Sequence, residues 1–222
     1  MDLDKTEKME SFIEGLISVI FGLAKLAEAR DKEPGGHLIR IAKYSEKLAL
    51  KLQETEKYNR LIDKHFIYFI YQASYLHDIG KLGIPEKILL KPGKINAGEF
   101  EIIKTHTTIG ANILKARGEE YHNNDFIKFA IEIAESHHEK WNGSGYPNGL
   151  VGESIPLVAR IVALADVYDA LTSERVYKEG FPHSKSKDII INSSGSHFDP
   201  EIVDAFIKIE SDFIFIKESV KN

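Results

Sequence analysis

Apolar residues recur at helical spacing along almost the whole chain, and no stretch alternates as a half-buried strand would. Met9 to Ala29 is predicted to be helical, with Phe12, Leu16, Val19, Ile20, Leu23 and Leu26 on one side. DKEPGG, from Asp31 to Gly36, interrupts it with a capping aspartate, a proline and two glycines. A second helix starts at His37 and carries Leu38, Ile41, Leu48 and Leu52. A third carries Phe66, Phe69, Ile70, Ala73, Tyr75 and Leu76. It is predicted to end at Gly80 in a left-handed cap, which places His77 and Asp78 in its last turn. Leu82 to Asn96 reads as loop with one short turn near Ile88. Ala97 to Ala116 reads as a helix carrying His106, and Phe126 to His138 as a helix ending in His137–His138. Glu139 to Ile155 is a long glycine-rich loop. Pro156 to Leu171 is helical and carries Asp166. Ser173 to Ser196 is polar and irregular, with a helix near Ser184 to Ile191, and Asp199-Pro200 opens a last helix reaching about Val220. The pattern predicts an all-α protein, a compact helical bundle without internal repeats.

Composition narrows the chemistry. At 222 residues, 43% of them hydrophobic, the chain can form one large domain or a domain with an added segment. It contains no cysteine, which excludes disulfides, thiolate metal sites and cysteine nucleophiles. Any bound metal must then have nitrogen and oxygen ligands, which suit Fe, Mn, Zn or Ni. A net charge of −5 provides no general attraction to a nucleic-acid polymer or an anionic membrane. The apolar run Gly15 to Ala24 is about half of what a membrane span needs. Acidic residues precede it (Asp2, Asp4, Glu7, Glu10), unlike a secretory signal. The reading is a cytoplasmic protein whose first helix, residues 1–30, makes a core contact or pairs with a second copy in a homodimer.

Seven imidazoles and carboxylates stand at helix ends or on otherwise apolar helix faces: His37, His77, Asp78, His106, His137, His138 and Asp166. They come from different predicted helices, which is how a bundle assembles an interior ligand set. His77–Asp78 alone would more readily be a satisfied core hydrogen bond. Neighbours on a helix point about 100° apart, so His77–Asp78 and His137–His138 suit a cluster better than a single-ion clamp. Two ions about 3.5–4 Å apart can clamp both oxygens of a phosphoryl displacement, so the spacing leans towards a binuclear phosphohydrolase. Glu33, four residues before His37, either turns inward to the same cluster or serves as a carboxylate at the helix N-terminus. His65, His122, His183 and His197 lie in polar or loop contexts. In HHEKWNGSGYPNGL, Trp141 and Tyr146 sit among glycines. That suits packing on a nucleobase or a partner protein, or a plain surface loop.

HDIGK at His77–Lys81, followed by HHEKWNGSGYP at His137–Pro147, resembles the HD-GYP family, a branch of the HD superfamily of metal-dependent phosphohydrolases. The likeness runs from about Ala27 to about Phe206. It includes IPEKILLKPGKI, KTHTTIGANIL, IPLVARIVALADVYDALTSERVYK and HFDPEIVDAF. The resemblance implies an HD-type helical bundle with a C-terminal GYP extension, a catalytic domain over residues 31–222, and a bacterial phosphodiesterase. Its substrates would be cyclic di-GMP and pGpG, and its products pGpG or GMP, formed through a metal-bridging hydroxide. It implies metal ligation by His37, His77, Asp78, His106, His137, His138 and Asp166, with Asp78 bridging, and a third ion through Glu33. Two or three divalent ions are implied, iron first and manganese as the alternative. Lys81 would touch the scissile phosphate, Arg175 and Lys178 would hold the dinucleotide, and Tyr146 would line the pocket. The GYP loop could also dock a protein that synthesises cyclic di-GMP. Asn142 and Val176 depart from the family's usual aspartate and proline. Two other readings are a non-catalytic module that senses cyclic di-GMP or docks a partner, and an HD phosphohydrolase acting on another nucleotide.

Overall fold

The computed structural model describes residues 3–31, 35–115, 124–174 and 179–220. Glu33, Arg175 and Lys178 lie outside these residues. Among the described residues the chain is helical without strands, and its only sheet-like pairings are two isolated bridges, Asn142 with Val151 and Ser194 with Phe198. In chain order the helices are α1 Leu3–Asp31, α2 His37–Gln53, α3 Lys64–Ala73, the single turn α4 Glu86–Leu89, α5 Ala97–Lys104, α6 His106–Lys115 and α7 Asp125–Ser136. They continue with α8 Leu157–Thr172, α9 His183–Asn192, α10 Pro200–Lys208 and α11 Glu210–Ser219.

Side chains at the helix starts explain several boundaries. Asp63 caps α3 by accepting from Phe66 N, and Asn96 and Glu99 form a reciprocal capping box at α5. Asn124 caps α7, and Asp199 with Pro200 behind it caps α10. Gly36 precedes α2 at φ 76°, a left-handed conformation that glycine adopts without a Cβ clash.

The core lies where α2 and α8 cross. Ile41, Leu48, Ile161, Val162 and Leu164 are fully buried there, each worth about 1.5–3 kcal/mol. Tyr44 of α2 stacks on Phe213 of α11 at 4.4 Å and meets Tyr168 of α8 edge-on at 5.3 Å. α8 is apolar nearly all round, the signature of a helix buried on several sides. Asp166 and Asp169 therefore stand out on it.

The structure corrects several sequence expectations. The third helix does not run to Gly80: α3 ends at Ala73, and two 3-10 turns, Ser74–Leu76 and Ile79–Gly83, follow. Gly80 is not a left-handed cap but sits inside the second of these turns. Ala97–Ala116 is two helices, broken at Thr105, and the last helix is also two, broken at Ile209. α7 ends at Ser136, so His137 is its C-cap and His138 lies beyond it.

α1 also differs from expectation. It packs on the core through Ala24, Ala27 and Glu28, with Ile20 and Phe21 half-buried. Arg30 donates to the carbonyls of Leu82 and Ile84. Of the two expectations for the apolar stripe, a core contact or pairing with a second copy, the core contact does not hold at Leu16, Val19, Leu23 and Leu26, which are 48, 61, 48 and 60% exposed. No helix among the described residues is long and apolar enough to cross a membrane.

Gly80 sets the contact between the second 3-10 turn and α6. A Cβ there would lie 1.9 Å from His106 O and 2.5 Å from Gly110 N. Both obstacles are backbone, so neither can swing aside. Gly80→Ala is expected to lose at least about 1–3 kcal/mol of stability in denaturant unfolding, as overpacked sites do. An unchanged midpoint and slope would refute the close packing.

Candidate metal centre

Seven side chains meet in the interior. The ligand atoms of Asp78, His106, His137 and His138 lie within 4.8 Å of one another, and those of His37, His77 and Asp166 form a second such group. Asp78 sits where the two groups adjoin. Its Oδ1 is 3.3 Å from His106 Nε2 and 3.7 Å from His137 Nε2, and its Oδ2 is 3.2 Å from His77 Nε2. On the other side, His37 Nε2 lies 3.9 Å from Asp166 Oδ1. The rings contact one another in series: His37 to His77 at 5.5 Å, His77 to His137 at 5.3 Å, and His106 to His138 at 5.1 Å.

Local chain geometry aims these rings. His77, His106 and His137 each place Nδ1 on a carbonyl three or four residues back, at Ser74, Ile103 and Ile133, within 2.7–2.9 Å. Nδ1–H donates to those carbonyls, which leaves Nε2 as the lone-pair nitrogen. His37 places Nδ1 on Asp169 Oδ2 instead, at 2.8 Å. The pairs split differently from a helical reading. His77 and Asp78 do serve opposite groups. His137 and His138 fall in one group, with ring centroids 4.0 Å apart, because the helix has already ended and its 100° step no longer separates them.

The donor set fits divalent cations. Nε2 of His77, His106 and His137 and Oδ1 of Asp78 are buried without a hydrogen-bond partner. Leaving such atoms bare costs about 1–3 kcal/mol each, and a cation between them would remove that cost. Protonation states agree. Burial pulls His106 down to about 4 and holds His138 well below the usual imidazole range, assisted there by neighbouring His137 and His106. Burial alone would raise Asp78, but Lys81 and His77 hold it well below the usual carboxylate range. Burial likewise pulls His77 down, but the Asp78 carboxylate outweighs it and the net direction is upward. Neutral His106 and His138 beside an ionised Asp78 are what a metal takes, while His77 would give up its proton on binding one.

Lys81 Nζ lies 2.7 Å from Asp78 Oδ2, one helical turn along the chain. Tyr146 stacks on His138 at 4.8 Å, with Lys104 over its ring at 5.6 Å. Burial first, then the charges of Asp78 and Asp166, raise its hydroxyl pKa, so the phenol faces the acidic centre as a neutral donor. Trp141 instead packs against Arg160, 5.7 Å from its ring centroid. The sequence reading missed two residues. Buried Glu139 accepts from Asn148 N at 2.7 Å and Leu150 N at 3.0 Å and so shapes the loop around Tyr146. Asp169 backs His37. The only sequence signal for Asp169 was a carboxylate in a run with no evident solvent side, VALADVYDAL, and Glu139 in HHEKWNG carried none.

The chelator-stripped protein is expected to lose stability as pH falls from 6.5 to about 4. Over that window the unfolded chain binds protons that buried His106 and His138 refuse. His197, lowered to about 4 by burial, adds to the loss, while His77 and Glu132 work the other way. At about 1.4 kcal/mol per pKa unit the His106 share of the loss is on the order of 3 kcal/mol. Thermal melts across this range measure it, and a profile flat to pH 4 would contradict the assignment.

A sequence profile of the family described as HD domain matches residues 23–202. The chain is 45% identical over 221 residues to a cyclic di-GMP phosphodiesterase of Vibrio cholerae, covering 99% of this chain and 45% of that protein. It is 50% identical over 202 residues to a probable cyclic di-GMP phosphodiesterase of the same organism, covering 90% and 46%. The chain thus spans about half the length of these relatives. A solved Vibrio cholerae cyclic GMP-AMP-specific phosphodiesterase superposes with a TM-score of 0.64 at 20% identity, over 91% of this chain and 51% of that one, and shares the fold. With HDIGK at the junction of the two ligand groups and HHEKWNGSGYP closing over them, the chain belongs to the HD-GYP branch of the HD-domain family.

Proposed function

We propose that this chain is a phosphodiesterase that hydrolyses cyclic di-GMP to pGpG, to GMP, or to both, using divalent cations held by His37, His77, Asp78, His106, His137, His138 and Asp166. The observation that carries the reading is the convergence of unpartnered Nε2 atoms on the buried Oδ1 of Asp78. The names of the half-matching Vibrio cholerae relatives support the substrate. Iron is the preferred ion and manganese the alternative. Glu33 would add a third ion, and Arg175 and Lys178 would hold the dinucleotide. Residues 31–222 form the catalytic domain, with 1–30 as a preceding helix, and the site of action is cytoplasmic. The exposed side of α1 would pair with a second copy, and the GYP loop is the surface for docking a cyclic di-GMP-synthesising protein.

Bound ions would supply Lewis-acid charge and a water of lowered pKa. The side chains provide the rest. Asp78 remains ionised because Lys81 and His77 stand against it, so it can be shared between the two ligand groups. Neutral His106 and His138 donate lone pairs without having to lose a proton first. Lys81 carries its charge at the edge of Asp78, where it can neutralise a non-bridging phosphate oxygen. Tyr146, stacked on His138, offers a hydroxyl and an aromatic edge to the substrate.

Metal content and turnover on one anaerobic preparation test this reading. Two or three ions per chain are expected, with pGpG or GMP released from cyclic di-GMP. Asp78→Ala is expected to abolish turnover together with metal binding. Lys81→Met should keep the metal and slow turnover roughly 10²–10³-fold, as loss of one charge-stabilising donor does. Bound metal with no product from cyclic di-GMP or pGpG would point instead to a binding module or to another nucleotide, to be sought with a panel of other nucleotide substrates. Light scattering tests the pairing, with Leu23→Glu expected to shift a dimer to monomer.

A further inference from the structure

His37 is held unlike the other three imidazoles whose Nδ1 is fixed. It opens α2, directly after the left-handed Gly36, so no preceding helical turn supplies a carbonyl to it. Its Nδ1 instead reaches Asp169 Oδ2 at 2.8 Å, across to α8. Asp169 is fully buried and lies one turn beyond Asp166 on that helix. Arg40 grips this carboxylate with two prongs, Nε to Oδ1 at 2.6 Å and Nη2 to Oδ2 at 2.9 Å. Ser173 Oγ adds a third donor at 3.2 Å, and Lys217 Nζ stands 3.7 Å from Oδ1. Arg40 Nη1 donates to Gly35 O at 2.9 Å and Val220 O at 3.2 Å, so the same guanidinium fixes the turn from which α2 starts. Burial opposes the charge on Asp169, but the bonds from His37 and Arg40 hold its pKa well below the usual carboxylate range.

We infer that Asp169, clamped by Arg40, is the positioning residue that sets metal affinity in the His37–His77–Asp166 group and leaves the Asp78–His106–His137–His138 group to its backbone carbonyls. The inference rests on the metal reading above and adds an asymmetry between the two groups. A carboxylate behind an imidazole fixes the tautomer with Nδ1–H and makes Nε2 a stronger donor than a carbonyl does. Only the second group contains such an imidazole among those with a fixed Nδ1. Without the carboxylate, His37 would lose both its orientation and the added basicity. Removal of such outer partners typically costs 10–100-fold in metal affinity.

The test is a manganese(II) titration of the chelator-stripped full chain, counting bound ions by loss of the free-ion electron paramagnetic resonance signal. Wild type is expected to bind at least two ions. Asp169→Asn is expected to weaken one binding event 10–100-fold while another stays within about twofold. The single variant leaves Arg40 buried without its carboxylate and can fail to fold. The double variant Arg40→Met, Asp169→Asn removes both charges and carries the same expectation, with thermal melts of the stripped proteins as the fold control. Equal affinities at both sites in a folded variant would overturn the inference and leave the metal reading standing. So would a parallel weakening of all binding events, which is what a merely structural role would give. A wild type that binds no manganese would overturn the metal reading and this inference together.

Discussion

The structure depends on keeping one half-buried carboxylate ionised. Asp78 lies in an interior that would otherwise protonate it, and burying an uncompensated charge costs several kcal/mol. Lys81 answers it directly at 2.7 Å, and His77 Nε2 stands 3.2 Å away. His106 is brought beside it because the second 3-10 turn and α6 touch backbone to backbone at Gly80 and Gly110. The local turn thus supplies the charges that keep Asp78 ionised, and the close packing supplies the neutral imidazole of His106 beside it.

A second carboxylate, this one fully buried, repeats this logic behind the first layer. Asp169 is neutralised by Arg40 and spends one oxygen on His37. Glu139 does the same for the GYP segment, with backbone N–H groups as its donors. Each of these three acids fixes a different part of the centre: Asp78 the junction of the ligand groups, Asp169 the orientation of His37, and Glu139 the loop bearing Tyr146. A half-satisfied network of this kind would be worse than an apolar core, so the ligand atoms left bare at Asp78 stand out as those meant for a cation.

α1 illustrates how one helix can serve two surfaces. Its Ala24, Ala27 and Glu28 side seals the bundle next to His77 and Asp78, and Arg30 ties it to the carbonyls of Leu82 and Ile84. Its leucine and valine stripe faces outward. Phe21 joins the Ala24, Ala27 and Glu28 side, meeting Tyr75 of the first 3-10 turn edge-on at 5.1 Å.

The sequence by itself determined the all-α class, most helix positions, and the identity of the seven residues that meet. Periodicity and capping are local, and imidazoles or carboxylates on apolar faces declare themselves without knowledge of the fold. Tertiary structure alone decided the rest. It broke the third helix at Ala73, because the chain must turn to bring Asp78 under α6, and it made Gly80 a contact where local rules suggested a cap. It put His137 and His138 in one group, since α7 ends before them. It turned the apolar stripe of α1 outward, because periodicity identifies a face but not what the face meets. It also gave Asp169 and Glu139 their roles. A buried carboxylate is defined by its partners, and Asp169 finds His37 132 residues away in the chain, a distance that no local pattern can span.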